Sequence, residues 1–215
     1  MIKNYSKFYD VNYALEHEKG REWEYNEVIK LLNVKEEDKI LDLGCNTGDF
    51  CNILSSNFKA EVKGIDLNQS AICRAREKYP ELDFQLMNLN DLNEKEVYNK
   101  IVMIQVIEHL NDPLLLIKKA RDALVPGGQL LLTTPNTWAF IIKAIYFIEK
   151  KPVPVDATHL FEFNPFSLKN LLKQSGFKFI SIHTNPFGTI RLSKLLGQKR
   201  NAFWFGNTLF ALLRK

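Results

Sequence analysis

The stretch Ile40-Leu41-Asp42-Leu43-Gly44-Cys45-Asn46-Thr47-Gly48-Asp49-Phe50 constrains the fold more than any other part of this sequence. Its short apolar start reads as a buried strand. That strand runs into a tight turn whose glycines permit positive φ and close backbone approach to a ligand. The helix that follows presents free N–H groups at its start. A dinucleotide loop needs G-x-G-x-x-G and a Walker loop needs G-K-[ST], whereas the spacing here is G-x-x-x-G. Asp42 argues against a pyrophosphate, which its carboxylate would repel; it would instead attract an ammonium group or order water around one. Eighteen residues after Gly48 the next strand ends in Gly64-Ile65-Asp66-Leu67. An acidic side chain there can accept both hydroxyls of a ribose. An Asp at a strand end also caps helices; it is the joint spacing that points to a nucleoside.

From about Lys39 the chain alternates short β-rich runs with helical stretches, the pattern of a parallel sheet covered on both faces. Strands are expected at Lys39–Leu43, Glu61–Asp66, Asp83–Met87, Lys100–Gln105 and Gly128–Thr134, with helices near Asp49–Asn57, Gln69–Tyr79 and Pro113–Leu124. Asp112-Pro113 is a sound helix start, and Pro126-Gly127-Gly128 turns the chain into the next strand. Tyr5 to Leu32 reads as helical, with Trp23, Val28, Ile29 and Leu32 on an apolar stripe and Tyr5, Tyr9 and Tyr13 on one face. Pro165–Ser175 is a helix stopped by Gly176, Phe177–His183 a strand, and Thr208–Arg214 a final closing strand.

The net charge of +4 is mild and the basic residues are scattered. A DNA-binding stripe is not expected, and RNA is disfavoured on the same ground. Cys45, Cys51 and Cys73 show no CxxC spacing, which argues against a zinc site and a disulfide framework. Ile2-Lys3-Asn4-Tyr5 forms no apolar leader, so a cytoplasmic protein is expected. Nothing in the sequence sets an oligomeric state.

The loop, Asp66 and several further blocks together resemble the class I S-adenosylmethionine-dependent methyltransferases, over roughly Lys39 to Phe179. The resemblance implies S-adenosylmethionine as cofactor and an α/β, Rossmann-like fold: a seven-stranded, mostly parallel sheet with helices on both faces and an antiparallel C-terminal strand. It implies a single domain over 1–215, in which 1–38 is a helical cover and 136–163 an insertion on the substrate side. Cofactor contacts are then expected from Asp42, Gly44, Cys45, Asn46, Gly48, Asp66 and Leu67. Phe84-Gln85-Leu86-Met87-Asn88-Leu89-Asn90-Asp91-Leu92 is similar to the family's adenine-holding segment, with Asn88 where the family has an acid and Leu89 supplying the next N–H. Ile104-Gln105-Val106-Ile107-Glu108-His109-Leu110 is similar to the family's fourth strand end, so Ile104 and Gln105 should touch the cofactor. The leading segment covers the cofactor in these families, which brings Arg21 to its carboxylate.

Methyl transfer needs a positioned nucleophile, and an oxygen nucleophile must also lose its proton to a base or a metal. Glu108-His109 lies at the ligand-binding edge, where the pair either moves that proton or caps the loop. Ubiquinone-pathway O-methyltransferases and small-RNA 2′-O-methyltransferases carry E-x-x-E-H here and bind a divalent metal. This chain has Gln105 at the first position, a weaker ligand for a hard cation, so no metal is expected. His159-Leu160-Phe161-Glu162-Phe163 is similar to a later histidine block, so His159 is the third catalytic candidate; its alternative is to pin the insertion to the core.

Trp138 to Ile148 is apolar except for Lys143, too short to span a bilayer. It is open to three roles: core, substrate lid, or an interfacial contact with a membrane. The expected reaction is methyl transfer to an oxygen, or a nitrogen, of a small-molecule, sugar or lipid-linked acceptor. An RNA 2′-O-methyltransferase and a non-catalytic cofactor-binding or assembly protein are the alternatives.

Overall fold

A computed structural model describes residues 21–139, 144, 147, 148, 150, 158–184 and 206–215. The tyrosine face at Tyr5, Tyr9 and Tyr13, most of the apolar run after Trp138, and Phe203-Trp204-Phe205 lie outside these residues.

Helix α1 spans Glu22–Leu32 and is followed by β1 (Lys39–Leu43), α2 (Asp49–Phe58), β2 (Glu61–Asp66), α3 (Gln69–Lys78) and β3 (Asp83–Leu86). Then come β4 (Tyr98–Ile104), α4 (Pro113–Ala123), β5 (Leu124–Pro135), α5 (Pro165–Lys173), β6 (Lys178–Thr184) and β7 (Thr208–Arg214). The seven strands lie in the order β3-β2-β1-β4-β5-β7-β6, with β7 antiparallel to both neighbours. This is the expected Rossmann-like sheet. β1 pairs with both β2 and β4, so the strand order reverses there, and ligands bind outside the carboxyl ends at such a switch point.

Alternation along the strands sends side chains to two cores. Leu41, Leu43, Ile101 and Met103 join α4 and α5 on one face, and Ile40, Val62, Val102 and Ile104 join α1, α2 and α3 on the other. β7 is buried from Thr208 to Leu213 because it lies between β5 and β6, with both faces covered. Three helix starts are capped by side chains: Asn68 accepts from Ser70 and Ala71, Asp112 accepts from Leu115, and Asn164 forms a capping box with Ser167.

β5 begins earlier than the sequence suggests. Pro126-Gly127-Gly128 lies inside the strand, where the register slips between Tyr98 and Lys100 and Gly127 takes φ +79°. The tripeptide forms a kink within the strand instead of a turn ahead of it.

Helix α1 lies lengthwise on the sheet. At its foot, buried Lys100 at the start of β4 donates to the Leu32 and Asn33 carbonyls, each 2.8 Å away, and pairs with Asp38 at 2.9 Å. Its head therefore lies level with the end of β4. There Tyr25 packs on Phe50 at 4.8 Å between ring centroids.

Candidate active site

The glycine turn after β1 is built as the sequence suggests. Gly44 and Gly48 take φ +86° and +82°, and Gly48 is the N-cap of α2. A side chain on Gly44 would bring its Cβ within 2.5 Å of Val106 Cγ2, and one on Gly48 would collide with the Phe84 ring. Asp66 is tied to the loop: one carboxylate oxygen accepts from the Asn46 N–H at 2.9 Å and the other from the Asn68 N–H at 2.8 Å. Each oxygen keeps a lone pair for a ribose hydroxyl. Leu67, beyond it, is exposed.

Asp42 is fully withdrawn beneath this loop, where the Cys51 thiol donates to its carboxylate at 3.4 Å. Burial pushes its carboxyl up to about 7, against the Cys51 hydrogen bond and with help from the Asp66 charge. Cys45 is buried beside Gly64. The Asn88 side-chain oxygen, expected to face the adenine, accepts the Asn90 N–H at 3.0 Å and caps the turn Leu89–Asp91. Leu89 and Ile104 are both buried.

At the end of β4 the backbone is strained: Gln105 takes φ +56°. Its N–H is held by the Thr133 carbonyl at 3.1 Å and hydroxyl at 3.2 Å. Its side-chain amide donates to Glu24 of α1 at 2.7 Å, and the Thr133 hydroxyl donates to the same Glu24 oxygen at 2.6 Å. Glu24 is buried. Sequence reasoning missed it, although its spacing from Val28 and Leu32 places it on the buried stripe of α1.

Just beyond, Glu108 is buried, and Thr134 donates to its Oε2 at 3.0 Å. Its Oε1 is buried without a hydrogen-bond partner among the described residues. Burial pushes this carboxyl up to about 8, opposed by backbone and Thr134 hydrogen bonds; Glu24 raises it further and Arg21 lowers it. Leu160 and Phe161 donate backbone hydrogen bonds to the Glu108 carbonyl, which docks the end of the insertion here. His109 Nδ1 lies 3.0 Å from the Thr158 hydroxyl, and the His109 and His159 rings meet edge to face. Glu108, His109 and His159 each bring one ligand-capable atom within 4.8 Å of the others. The structure thus gathers all three catalytic candidates, with Thr134 and Thr158 as supporting residues that carry no signal in the sequence.

Trp138, at the other end of the insertion, packs on Phe166 at 5.1 Å. Phe147 and Ile148 are exposed. No helix among the described residues is long and apolar enough to cross a membrane.

A reversed strand in a seven-stranded sheet, a glycine turn after β1 and an acid closing β2 define the class I S-adenosylmethionine-dependent methyltransferases, whose cofactor is S-adenosylmethionine. The chain matches the model of a methyltransferase-domain family over residues 15–182, and it belongs to that family. It is 29% identical over 140 residues to a protein of Mycolicibacterium smegmatis named as a probable S-adenosylmethionine-dependent methyltransferase, a match covering 65% of this chain and 51% of the relative. It is 28% identical over 130 residues to a ubiquinone biosynthesis O-methyltransferase of Bradyrhizobium diazoefficiens, covering 58% and 50%. The chain spans about half the length of these curated relatives. Among solved structures, a S-adenosylmethionine-dependent methyltransferase from Archaeoglobus fulgidus superposes with a TM-score of 0.71 at 16% identity, over 96% of this chain and 100% of that one. That likeness is one of fold.

Proposed function

We propose that the chain transfers a methyl group from S-adenosylmethionine to an oxygen, or a nitrogen, of a small-molecule, sugar or lipid-linked acceptor. The observation that carries this reading is the convergence of Glu108, His109 and His159 at the carboxyl edge of the sheet, beside the glycine turn. The Gly44–Gly48 turn and Asp66 fit an adenosyl ligand, since both glycines take positive φ at the head of α2 and Asp66 keeps acceptor capacity. When bound, the cofactor supplies an electrophilic methyl carbon. His109 and His159 are the nitrogen bases that take a proton from an acceptor hydroxyl. Thr158 fixes the His109 ring, and Glu108, with its carboxyl near 8, can accept and return a proton at neutral pH. The exposed Phe147 and Ile148 favour an apolar acceptor or a peripheral membrane contact.

The test is transfer of labelled methyl to a panel of phenols, sugars, lipid-linked acceptors and short RNAs. Turnover of a hydroxyl acceptor, lost at least 100-fold in His159→Ala with S-adenosylhomocysteine affinity kept, is the expected result. Cofactor binding without turnover of any acceptor would favour the non-catalytic alternative, and salt-sensitive turnover of RNA the nucleic-acid one.

A second reading rests on the orphaned Glu108 oxygen. Glu108, His109 and His159 would hold a divalent ion, which would lower the pKa of an acceptor hydroxyl. Calorimetric titration with magnesium, manganese and zinc should then show one site that His159→Ala removes. Heat-silent titrations together with turnover that survives a chelator would dismiss it.

A further inference from the structure

We infer that Glu24 takes the α-ammonium group of the cofactor, and that Arg21, expected to meet its α-carboxylate, completes a clamp for this zwitterion at the head of α1. The inference rests on the S-adenosylmethionine reading above.

Three features converge on it. Lys100 holds the foot of α1 at the start of β4, so the first turn of the helix stands at the end of β4, on the ligand-binding edge. Glu24 is only 3% exposed, yet its two partners are a neutral amide and a neutral hydroxyl. Both bonds fall on Oε1, which leaves Oε2 for a ligand. Among the described residues no Lys or Arg lies within ion-pairing distance of Glu24. A buried carboxyl is held by pairing or by several hydrogen bonds, and a ligand ammonium would add a charge-assisted one at Oε2. Arg21, the half-buried N-cap of α1, lies three residues before Glu24 and so on the same side of the helix.

The chemistry follows from these positions. An amino acid leaving water gives up the hydration of two opposite charges. A carboxylate and a guanidinium spaced at i and i+3 meet both with charge-assisted hydrogen bonds. Gln105 and Thr133 aim the carboxylate by occupying its other oxygen.

The experiment compares two ligands on two proteins by calorimetry: S-adenosylhomocysteine and its analogue lacking only the α-amino group. Wild type should bind the deaminated analogue about 10- to 100-fold more weakly, as loss of a charge-assisted hydrogen bond implies. Glu24→Gln should weaken S-adenosylhomocysteine by a similar factor while leaving the analogue unchanged, so that the two affinities converge. A wild-type chain that does not distinguish the ligands overturns the clamp without need of any variant. Equal weakening of both ligands by Glu24→Gln also overturns it, by showing a purely structural role. A wild-type chain that binds neither ligand overturns the cofactor reading and the clamp with it.

Discussion

His109 and His159 meet edge to face, with ring centroids 4.8 Å apart and planes at 72°, although one follows β4 and the other ends the 136–163 insertion. The contact is made by docking, since the residues after His159 hang their N–H groups on the Glu108 carbonyl. His159, Leu160 and Phe161 therefore stand with Glu108 and His109 at the candidate site.

Thr158 touches His109 Nδ1 at 3.0 Å and orients the ring. Thr158→Val should lower turnover roughly 10-fold, in line with the loss of an outer hydrogen bond to a working imidazole. Affinity for S-adenosylhomocysteine should hold. Steady-state kinetics with calorimetry check this, and unchanged turnover would relieve Thr158 of the role.

Gly44 takes φ +86° with Val106 where a Cβ would go. Gly44→Ala should cost roughly 2–4 kcal/mol, combining left-handed strain with overpacking. It should also weaken cofactor binding at least tenfold. Urea denaturation and calorimetry measure the two effects separately; a variant as stable as wild type would show the turn to be more yielding than its geometry indicates.

Asp42 makes stability fall as pH rises. Its carboxyl ionises near 3.8 in the unfolded chain and near 7 in the folded one, so between these values the folded form holds more protons. Each unit of rising pH in that window costs up to about 1.4 kcal/mol, roughly 4 in all, and the loss is complete above pH 7. Asp42→Asn should remove this decline. Unfolding free energies of both proteins from pH 4 to 8 are the measurement, and parallel curves would contradict it.

Lys100 joins the foot of α1 to β4 through two carbonyls and Asp38. Lys100→Met should destabilise by about 3 kcal/mol, since it leaves a carboxylate and two carbonyls short of a partner. Amides in the last turn of α1 should exchange faster by mass spectrometry. An unaltered denaturation midpoint would mean that α1 is held by its apolar stripe alone.

The sequence reading and the structure agree where a signal is local. β7 is found at Thr208–Arg214 as expected, because a strand buried on both faces reads as an unbroken apolar run. Gly44, Gly48 and Asp66 are legible for the same reason: turn, cap and strand end each leave a residue type behind. What escaped depends on tertiary packing. Glu24 looks like a surface acid until β4 and β5 close over it. Asn88 reads as an adenine acceptor, and its oxygen also has a local task the sequence hides, capping a backbone N–H two residues on. Thr158 matters only once the insertion has returned to His109. A local ambiguity hides the kink at Gly127, because glycine marks kinks and turns alike.

The hydrogen bond from Gln105 to Glu24 bears on how chains of this kind diverge. With an acid at 105, two carboxylates would face each other in a buried place, so neither position can gain or lose its charge alone. Relatives carrying Glu at the 105 position should lack an acid at 24, and those with Gln should keep one. In this chain the one carboxylate of the pair stands on the helix, and the sheet supplies the amide that donates to it.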